Sequence, residues 1–310
     1  MTNTTAEFWG WTPPGGAEIS LAQPWLTVAT FGGSRMGIPT LRGNDYEVPF
    51  RSGLQHRPKF ANSRTLTLAM SVSGTDPATG LPAADDQVLQ WNNNFQEIRQ
   101  AFWTRDPLGS VQGMLTRRWN LTQNGTTGVV VASAMAEIGS DMAPAMTGRT
   151  RADFAVDLVL SDPYFYGTQR SVVIGAGAPV TVMTLGEGIV GEGYPSSVSS
   201  FTCQLSGPLS FPVLTNSSAT SAASSAGVIF AYQDVVALGE TVTIDFLNFT
   251  VASSTGASKV NKVAHAGSKM WFCLVPSPIP GQPGNNQVAL TTLSATDTGT
   301  ATLFYNDCYI

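Results

Sequence analysis

One stretch of this chain carries a long helical pattern: DDQVLQWNNNFQEIRQAFW, residues 85–103. Its large apolar side chains recur every three or four residues, which places them on one face of an α-helix. These candidate helix-packing residues are Val88, Trp91, Phe95, Ile98 and Phe102. Asp85 and Asp86 stand in the expected first turn, where negative charge interacts favourably with the helix dipole. The pattern predicts one amphipathic helix that packs its apolar stripe on a β-sheet.

The polar residues between these positions are predicted to face water or a partner; they include Gln90, Asn93, Asn94, Glu97 and Gln100. If so, Asn94→Ala should change the free energy of unfolding by less than about 0.5 kcal/mol. Phe95→Ala removes a ring from the centre of the stripe and should cost about 3–5 kcal/mol. The contrast between the two substitutions tests the phase of the helix.

Most of the remaining chain has the two-residue alternation of β-strands. Leu66, Leu68, Met70 and Val72 alternate with small polar residues, and residues 151–160 show the same pattern. Residues 19–31 are predicted to form one strand. After residue 170, short apolar stretches alternate with turn residues at intervals typical of a β-sandwich. The sequence therefore predicts a mainly β protein with one flanking helix.

The distribution of charge supports two domains. Charged residues make up only 12% of the chain, about half of the ~25% in an ordinary soluble domain. Thirteen of the 16 Lys and Arg residues precede residue 171, and only Lys259, Lys262 and Lys269 follow it. The composition changes near the turn-rich residues 162–167. We predict domains at 1–168 and 169–310.

A basic segment, residues 32–63, is predicted to be a long irregular loop. The positive side chains in and beside it are candidates for subunit contact: Arg35, Arg42, Arg51, Arg57, Lys59 and Arg64. A loop of this length inside a compact domain usually has a function or wraps a neighbour. The alternatives are a solvated extension and contact with nucleic acid, although aromatic residues for base stacking are sparse here. The net charge of −5 also disfavours a nucleic-acid binder.

Catalytic and metal-binding patterns are scarce. His56 and His265 have no Cys, His, Asp or Glu neighbours at metal-ligand spacing, so neither a metal nor another cofactor is expected. The string GEGIVG at 186–191 lacks a following helix and is predicted to be a glycine-rich loop between strands. Three cysteines, all in the second half, are expected to be buried thiols, with a single disulfide as the alternative. No apolar run is long enough for a membrane span, and no signal peptide is evident.

Two ordered sets of segments resemble the distal tail proteins of long-tailed bacteriophages, especially the minor tail proteins of actinobacterial phages. The first set is RG at 42–43, PFR at 49–51, NSRTL at 62–66, FW at 102–103 and DPYF at 162–165. The second set is GPLSFPVLTN at 207–216, GETVTID at 239–245, MWFCLVP at 270–276 and ATLFYNDCYI at 301–310. The chain departs from the family at residues 276–286, where a compact Pro-Gly-Asn turn is extended.

The resemblance implies a ring, usually a homohexamer, at the distal end of the phage tail in the virion, assembled in the host cytoplasm. The first domain would be a tail-tube-like β-barrel or sandwich with one flanking helix, and the second a galectin-like β-sandwich. The implied partners are other copies of the chain, the tail tube protein, the tape measure protein, and the tail-tip hub or other minor tail proteins. The implied role is structural, without catalysis or a cofactor.

Two other functions remain open. Galectin-like sandwiches can bind sugars, so the chain is alternatively a carbohydrate-binding module or adhesin that contacts a host surface glycan. Such a site needs an exposed aromatic side chain, and Trp271 is expected to lie in the core. An enzyme such as a glycosidase would use a pair of carboxylates, for which the second half offers Asp234, Glu240 and Asp245.

Overall fold

The structure is a computed structural model, and it divides into two compact units. It describes residues 8–28, 41–42, 46–47, 54–55, 60–84, 86–103, 105–106, 109–110, 112–123, 126–140, 142–191, 193, 195–218, 228–264, 272–279 and 282–310. Unit 1 comprises Met1–Leu121 and Thr127–Pro163, and unit 2 comprises Thr122–Thr126 and Tyr164–Ile310. The division at Pro163 lies a few residues before the boundary expected at 168.

The elements of the first half of the chain are mostly strands. They are β1 (Phe8–Thr12), β2 (Ile19–Ser20), β3 (Leu26–Val28), β4 (Leu41–Arg42), β5 (Tyr46–Glu47), β6 (Leu54–Gln55), β7 (Phe60–Ala61), β8 (Arg64–Ser73), α1 (Gln87–Phe102), β9 (Arg105–Asp106), β10 (Gly109–Ser110), β11 (Gly113–Gln123), β12 (Thr126–Ile138), β13 (Ala145–Gly148) and β14 (Arg151–Leu160). Among the described residues, α1 is the only α-helix.

Unit 1 is built from two antiparallel strand groups that join along one edge. One group runs β2-β1-β11-β12 and the other runs β3-β8-β14-β13. The end of β12 pairs with β14 through Glu137 opposite Val159 and Ile138 opposite Leu158. Alternate side chains of β8 and β14 are buried on the inner side, as the two-residue alternation predicts.

Helix α1 begins and ends close to the predicted positions. Asp86 is its N-cap: one carboxylate oxygen accepts hydrogen bonds from the backbone N–H groups of Val88 and Leu89, at 2.9 and 3.0 Å. Such a cap satisfies N–H groups that have no partner inside the helix. At the other end, Phe102 stacks on Trp11 at 5.2 Å between ring centroids, and the Trp11 indole N–H donates to the Ala101 carbonyl at 2.8 Å. These contacts fix the C-terminal turn on the sheet.

The buried face of α1 differs from the predicted stripe at two positions. Ile98 and Phe102 are buried, and Trp91 and Phe95 are half-buried. The prediction for Val88 is wrong, because its side chain is 42% exposed. Asn94 was expected off the buried stripe, facing water or a partner, but its side chain is only 1% exposed. Around the helix axis Asn94 lies about 40° from Ile98, and Val88 lies about 80° away on the other side, so the buried arc is turned toward Asn94.

Asn94 is buried because the ends of β8 and the following loop offer it partners. Its side-chain N–H₂ donates to the carbonyl oxygens of Ser73 at 2.8 Å and Thr75 at 2.9 Å. Its own oxygen accepts a hydrogen bond from the Gln90 side chain at 2.7 Å. Gly74 makes this approach close, since a Cβ there would collide with the Gln87 carbonyl. The amide therefore joins α1 to the end of β8.

Two predictions for the loops and strands of unit 1 need correction. Residues 19–28 form two short strands, β2 and β3, instead of part of one strand, because a tight bridge between Gln23 and Leu26 turns the chain next to Pro24. The basic segment is not wholly irregular. Its β4 pairs with β7 and its β5 pairs with β6, in antiparallel register.

In the described part of the second half of the chain, strands and turns predominate. Its elements are β15 (Phe165–Gly175), β16 (Val180–Thr184), β17 (Phe201–Ser206), β18 (Leu209–Ser210), β19 (Val213–Asn216), β20 (Val228–Tyr232), β21 (Val235–Val236), β22 (Thr241–Asp245), β23 (Thr250–Ser253), a single 3-10 turn (Val260–Lys262), β24 (Val263–Ala264), β25 (Gly284–Thr291) and β26 (Thr300–Tyr309).

Unit 2 is a β-sandwich of two five-stranded sheets. One sheet has the order β15-β26-β17-β22-β23, and the other has β16-β25-β19-β20-β24. Four phenylalanines meet in its core: Phe246 lies 4.8 Å from Phe201, 5.4 Å from Phe230 and 5.5 Å from Phe272, between ring centroids. The predicted mainly β fold with one flanking helix is confirmed for the described residues.

Smaller features of unit 2 follow from close packing. Cys203, Cys273 and Cys308 are buried thiols that form no disulfide, as expected. The string at 186–191 is a loop between strands, where a Cβ on Gly186 would collide with the Cys308 carbonyl. Residues 269–274 are one of the short apolar stretches after residue 170 that were expected to be strands. This expectation is wrong over Phe272 and Cys273, and Leu274 makes only an isolated bridge to Val190. Trp271 lies outside the described residues.

Candidate assembly surfaces

The outer side of β8 and β14 is an open surface made of small side chains, here called the flat face. The strand register shows which of its residues are cross-strand neighbours. Ser71 lies opposite both Asp153 and Thr27, and Asp153 lies opposite Ala145. The ten members are Thr27, Thr65, Thr67, Ala69, Ser71, Ala145, Asp153, Ala155, Asp157 and Val159. All are exposed or half-buried. None is larger than valine, so the surface has no projecting aromatic or long aliphatic group.

Two carboxylates give the flat face its charge. A hydrogen bond from the Ser71 hydroxyl, followed by the nearby Arg151 guanidinium, lowers the pKa of Asp153. Arg151 stands at one end of the face, 3.5 Å from Asp153. Asp157 accepts a hydrogen bond from the Thr67 hydroxyl at 2.5 Å. The face is therefore anionic over its centre and carries hydroxyl groups around both carboxylates.

The sequence-predicted basic residues are only partly described. Arg35, Arg51, Arg57 and Lys59 lie outside the described residues. Arg42 lies in β4 with its backbone opposite Phe60. The prediction for Arg64 as a surface contact is wrong: it begins β8 on the inward side of the alternation and is 8% exposed. The structure does not bring Arg64 together with the other candidates at one described surface.

Within residues 41–61, the described strands form two separate antiparallel pairs, β4 with β7 and β5 with β6, here called the arm. Leu41 lies opposite Ala61, and Glu47 lies opposite Leu54, so the two paired regions share nearly one register. Among the described strands, those of the arm pair only with each other. The arm contains four Lys and Arg residues against two acidic residues, a net charge of +2. It leads directly into β8, which borders the flat face.

Four exposed apolar side chains of unit 2 lie in or beside its turns and are here called the apolar rim. It consists of Phe211, Val235, Leu238 and Leu293, which are 44%, 47%, 84% and 79% exposed. Backbone hydrogen bonds hold three of the loops together: Phe211 N–H donates to the Asp234 carbonyl and Leu293 N–H to the Ser210 carbonyl. Phe211 has a φ of 51°, a conformation that costs energy for a bulky residue. The loops thus hold an aromatic ring partly in solvent.

The carboxylates considered for a glycosidase have structural partners. Asp234 accepts the Val235 N–H, and the pKa of its carboxyl is lowered by that hydrogen bond and by Lys262 and Lys259. Glu240 accepts hydrogen bonds from the Ser253 hydroxyl and the Ala237 N–H, which lower its pKa. Asp245 caps the turn at Leu247 and Asn248. Both resolved shifts are downward, whereas a general acid needs a raised pKa.

The described residues contain no group of three or more His, Cys, Asp and Glu side chains placed to hold a metal ion. Likewise, in the described part of the chain no helix is long and apolar enough to cross a membrane. His56 and His265 lie outside the described residues.

Comparison with known proteins rests on structure alone, since no family model and no curated protein matches this chain. A solved structure matches 98% of this chain and 100% of its own, with 9% identity and a TM-score of 0.58: the Dit protein (gp 19.1) of phage SPP1, described as a paradigm of the hub adsorption apparatus in phages that infect Gram-positive bacteria. The chain has the fold of that Dit protein. Two structures of the phage P2 baseplate in its activated conformation, with Ca and with Sr, match at 7% identity with TM-scores of 0.38 and 0.36.

The flat face was readable in the sequence, but sequence reasoning missed it. The odd-numbered residues of β8 and β14 are all Ala, Ser, Thr, Val, Asp or Arg, and the alternation already assigned them to the outer side. The apolar rim gave no such signal in the sequence. Phe211 is exposed because of its positive φ, and no common turn motif in the sequence predicts that conformation.

Proposed function

We propose that this chain is a structural protein of a phage tail tip, forming a ring that joins the tail tube to the tip or baseplate. The observation that carries the proposal is the match of the complete fold, over both units, to the SPP1 Dit protein. The ordered sequence segments that resemble phage distal tail proteins support it independently. The low charge of the chain also suits a protein whose surface is covered by neighbours.

The ring would be a homohexamer at the distal end of the tail, assembled in the host cytoplasm. Its partners would be the tail tube protein, the tape measure protein, and the tail-tip hub or other minor tail proteins. The sequence resemblance extends the proposal to phages of actinobacteria. No catalytic step is proposed, because the candidate carboxylates serve turns and ion pairs.

The location can be tested on virions of the phage that encodes the chain. Gold-labelled antibodies raised against residues 164–310 should mark one site per particle, at the distal end of the tail in electron micrographs. Antibodies against the major tail tube protein are the matched control and should mark the full tail length. Labelling on the capsid, or evenly along the tail, would refute the proposed position.

The apolar rim favours carbohydrate binding as a second candidate function. An exposed aromatic ring can stack on a sugar ring, and Phe211 is such a ring, in a loop that backbone hydrogen bonds join to two neighbouring loops. The sequence pointed to Trp271 as the only late tryptophan and did not identify Phe211. The rim therefore offers the aromatic surface that the carbohydrate hypothesis needs.

A glycan array separates the second candidate from a purely structural role. Binding to a host-surface glycan should be lost in Phe211→Ala, which keeps a Cβ and hence the backbone strain but removes the ring. Phe249→Ala is the matched control, because Phe249 is also exposed with a φ of 54° but lies in the turn between β22 and β23. If the unaltered protein binds no glycan on the array, the carbohydrate-binding function is refuted and only the structural role remains.

A further inference from the structure

The side of α1 that points away from the sheet is here called the outer helix face. With a rotation of about 100° per residue, its centre is Gln96, which lies on the side opposite the buried Asn94 and Ile98. The seven positions within about 60° of Gln96 are all exposed: Leu89, Asn92, Asn93, Gln96, Arg99, Gln100 and Trp103. Only one of the seven is charged. A water-facing helix side usually carries charged groups, whereas few charges and a tryptophan are typical of a protein–protein interface.

The apolar members of the outer helix face stand at its two ends. Leu89 lies in the first turn and is 57% exposed, and Trp103 is the C-cap and is 61% exposed. They are about 21 Å apart along the axis. Val88, which the sequence placed in the core, is exposed next to Leu89. The helix therefore presents apolar groups at both ends, with four Asn and Gln amides between them.

This pattern is complementary to itself when a second copy of α1 lies antiparallel on the first. A two-fold axis at Gln96 brings Leu89 of each copy against Trp103 of the other, with Val88 beside the same ring. On one flank of the contact Asn93 then meets Gln100. Side-chain amides are both donors and acceptors, so each can pair with another amide.

The charges of α1 are compatible with the same arrangement. Arg99 lies on the second flank, where it meets the side-chain amide oxygen of Asn92 in the other copy. The two Arg99 side chains are separated by about 9 Å along the axis. Glu97 points about 100° away from Gln96, so the two carboxylates stay outside the contact. No groups of like charge are therefore forced together.

The area of this contact indicates a weak association. Helix α1 has 16 residues, and half of the surface of a cylinder about 24 Å long and about 10 Å wide is roughly 380 Å². A standard interface buries about 800 Å² on each partner. Two free chains would therefore form this contact and dissociate readily, so a covalent trap is a suitable way to detect it.

We propose that the outer helix face binds the outer helix face of a second copy of this chain, antiparallel and with two-fold symmetry at Gln96. Such a contact uses the same patch on both chains and closes at two copies. It joins two free chains or chains of two different rings, and it does not rest on the ring proposed above. The exposed Val88 and Leu89 then have an apolar partner in Trp103 of the other copy.

Disulfide trapping in the full-length protein tests the symmetry of the contact. Gln96→Cys should form a covalent dimer of twice 32.7 kDa on a non-reducing gel after mild oxidation, because the two-fold axis brings both new thiols together. Cys203, Cys273 and Cys308 are buried, so the new cysteine is the accessible thiol among the described residues. Glu97→Cys is the matched control and should give at least tenfold less dimer, because a disulfide needs Cβ atoms about 3.5–4.5 Å apart.

Two further cysteine variants test the direction of the helices. Leu89→Cys alone and Trp103→Cys alone should give no covalent dimer, because each residue is far from its own copy in the antiparallel arrangement. A mixture of the two variants should give the mixed dimer. A covalent dimer of Leu89→Cys with itself would indicate parallel helices and would overturn the proposal.

A final pair of substitutions tests the apolar ends. Adding Leu89→Asp to Gln96→Cys should lower the yield of dimer at least tenfold, because a carboxylate then faces the Trp103 ring. Leu238→Asp is the control: Leu238 is also an exposed leucine, but it lies in unit 2, and the yield should not change.

The outcomes separate this contact from the ring. If Gln96→Cys gives no more dimer than Glu97→Cys, while both variants keep the melting temperature of the unaltered protein, the contact is refuted even where a ring is seen. A trapped dimer of a chain that forms no ring would support the contact and refute the ring. If Gln96→Cys in virions is linked only to a different tail protein, the second copy is the wrong partner.

Discussion

Asn94 shows how a single polar residue can decide the position of the one helix. Its amide donates to two backbone carbonyls at the end of β8 while its oxygen is occupied by Gln90. The apolar period of the helix identified Ile98 and Phe102, but periodicity ranks residues by hydrophobicity and places every asparagine outside. The partners of Asn94 come from a loop that only the folded chain brings to the helix.

We therefore expect Asn94→Ala to lower the free energy of unfolding by about 1–3 kcal/mol, because two half-buried backbone carbonyl groups lose their donor. Asn93→Ala is the matched control, since Asn93 is exposed one position away, and it should change stability by less than about 0.5 kcal/mol. Chemical denaturation of both variants checks the pair. Equal, small effects would contradict the buried role of Asn94.

The buried carboxyl of Asp307 is expected to make the stability of unit 2 depend on pH. It is 4% exposed, and burial raises the pKa of its carboxyl against the opposing hydrogen bond from Leu185 N–H and the charge of Arg170. Its stabilising contribution is fully present below the unfolded pKa of about 3.9 and is lost as pH rises through the folded pKa. The melting temperature of the unaltered protein minus that of Asp307→Asn should therefore fall with rising pH.

Glu240 provides a control of the opposite sign. Its pKa is lowered, first by the Ser253 hydroxyl, so its contribution is present above the unfolded pKa and is lost as pH falls through the folded value. The melting temperature of the unaltered protein minus that of Glu240→Gln should rise with pH over the acidic range. The same slope for both variants would refute the assigned causes.

At the scale of elements, the alternation of β8 and β14 and the cap and phase signals of α1 made most of the fold predictable. The incorrect secondary-structure predictions share a cause, because they concern short elements that are held in place by long-range contacts. Phe272 and Cys273 are apolar, as residues of a buried strand would be. This segment, however, is held by side-chain hydrogen bonds instead of strand pairing. The Asn286 oxygen accepts the Val275 N–H at 2.8 Å, and the Asn216 amide donates to the Cys273 carbonyl at 2.9 Å.

Asn286→Ala should therefore loosen this segment from the sandwich. The substitution removes the hydrogen bonds to both the N–H and the carbonyl of Val275, and it removes the acceptor of Asn216. We expect a loss of about 2–4 kcal/mol, because buried groups without partners cost about 1–3 kcal/mol each. Asn285→Ala, exposed on the same strand, should stay within about 0.5 kcal/mol. Thermal unfolding followed by near-UV circular dichroism measures both.

At the scale of the whole molecule, the change in charge near residue 170 pointed to two domains, and the contacts divide the chain at Pro163. Unit 2 has its own two sheets and its own phenylalanine core. Residues 164–310 expressed alone should therefore unfold in one cooperative transition. A fragment beginning at residue 176 lacks β15 and is the control, which should unfold without cooperativity. A non-cooperative transition in the longer fragment would contradict the division.

The alternation in the sequence shows which residues of β8 and β14 face outward, but it does not show which outward surface a partner would cover. The basic segment was identified from its excess of Lys and Arg. The flat face has no such unusual composition, because it consists of the small outward-facing residues of the strands. Only the strand register shows that Asp153 lies opposite Ser71 and that Asp157 lies opposite Thr67. The proposed ring depends on surfaces of this kind more than on any single motif.

The mass of the native assembly tests the proposed ring most directly. Native mass spectrometry of the purified full-length chain should show one dominant species at six times 32.7 kDa, about 196 kDa, and particle images of the same sample should show a closed ring with matching symmetry. A protein that stays at 32.7 kDa at every concentration, or that forms an open series of masses without closure, would contradict the ring.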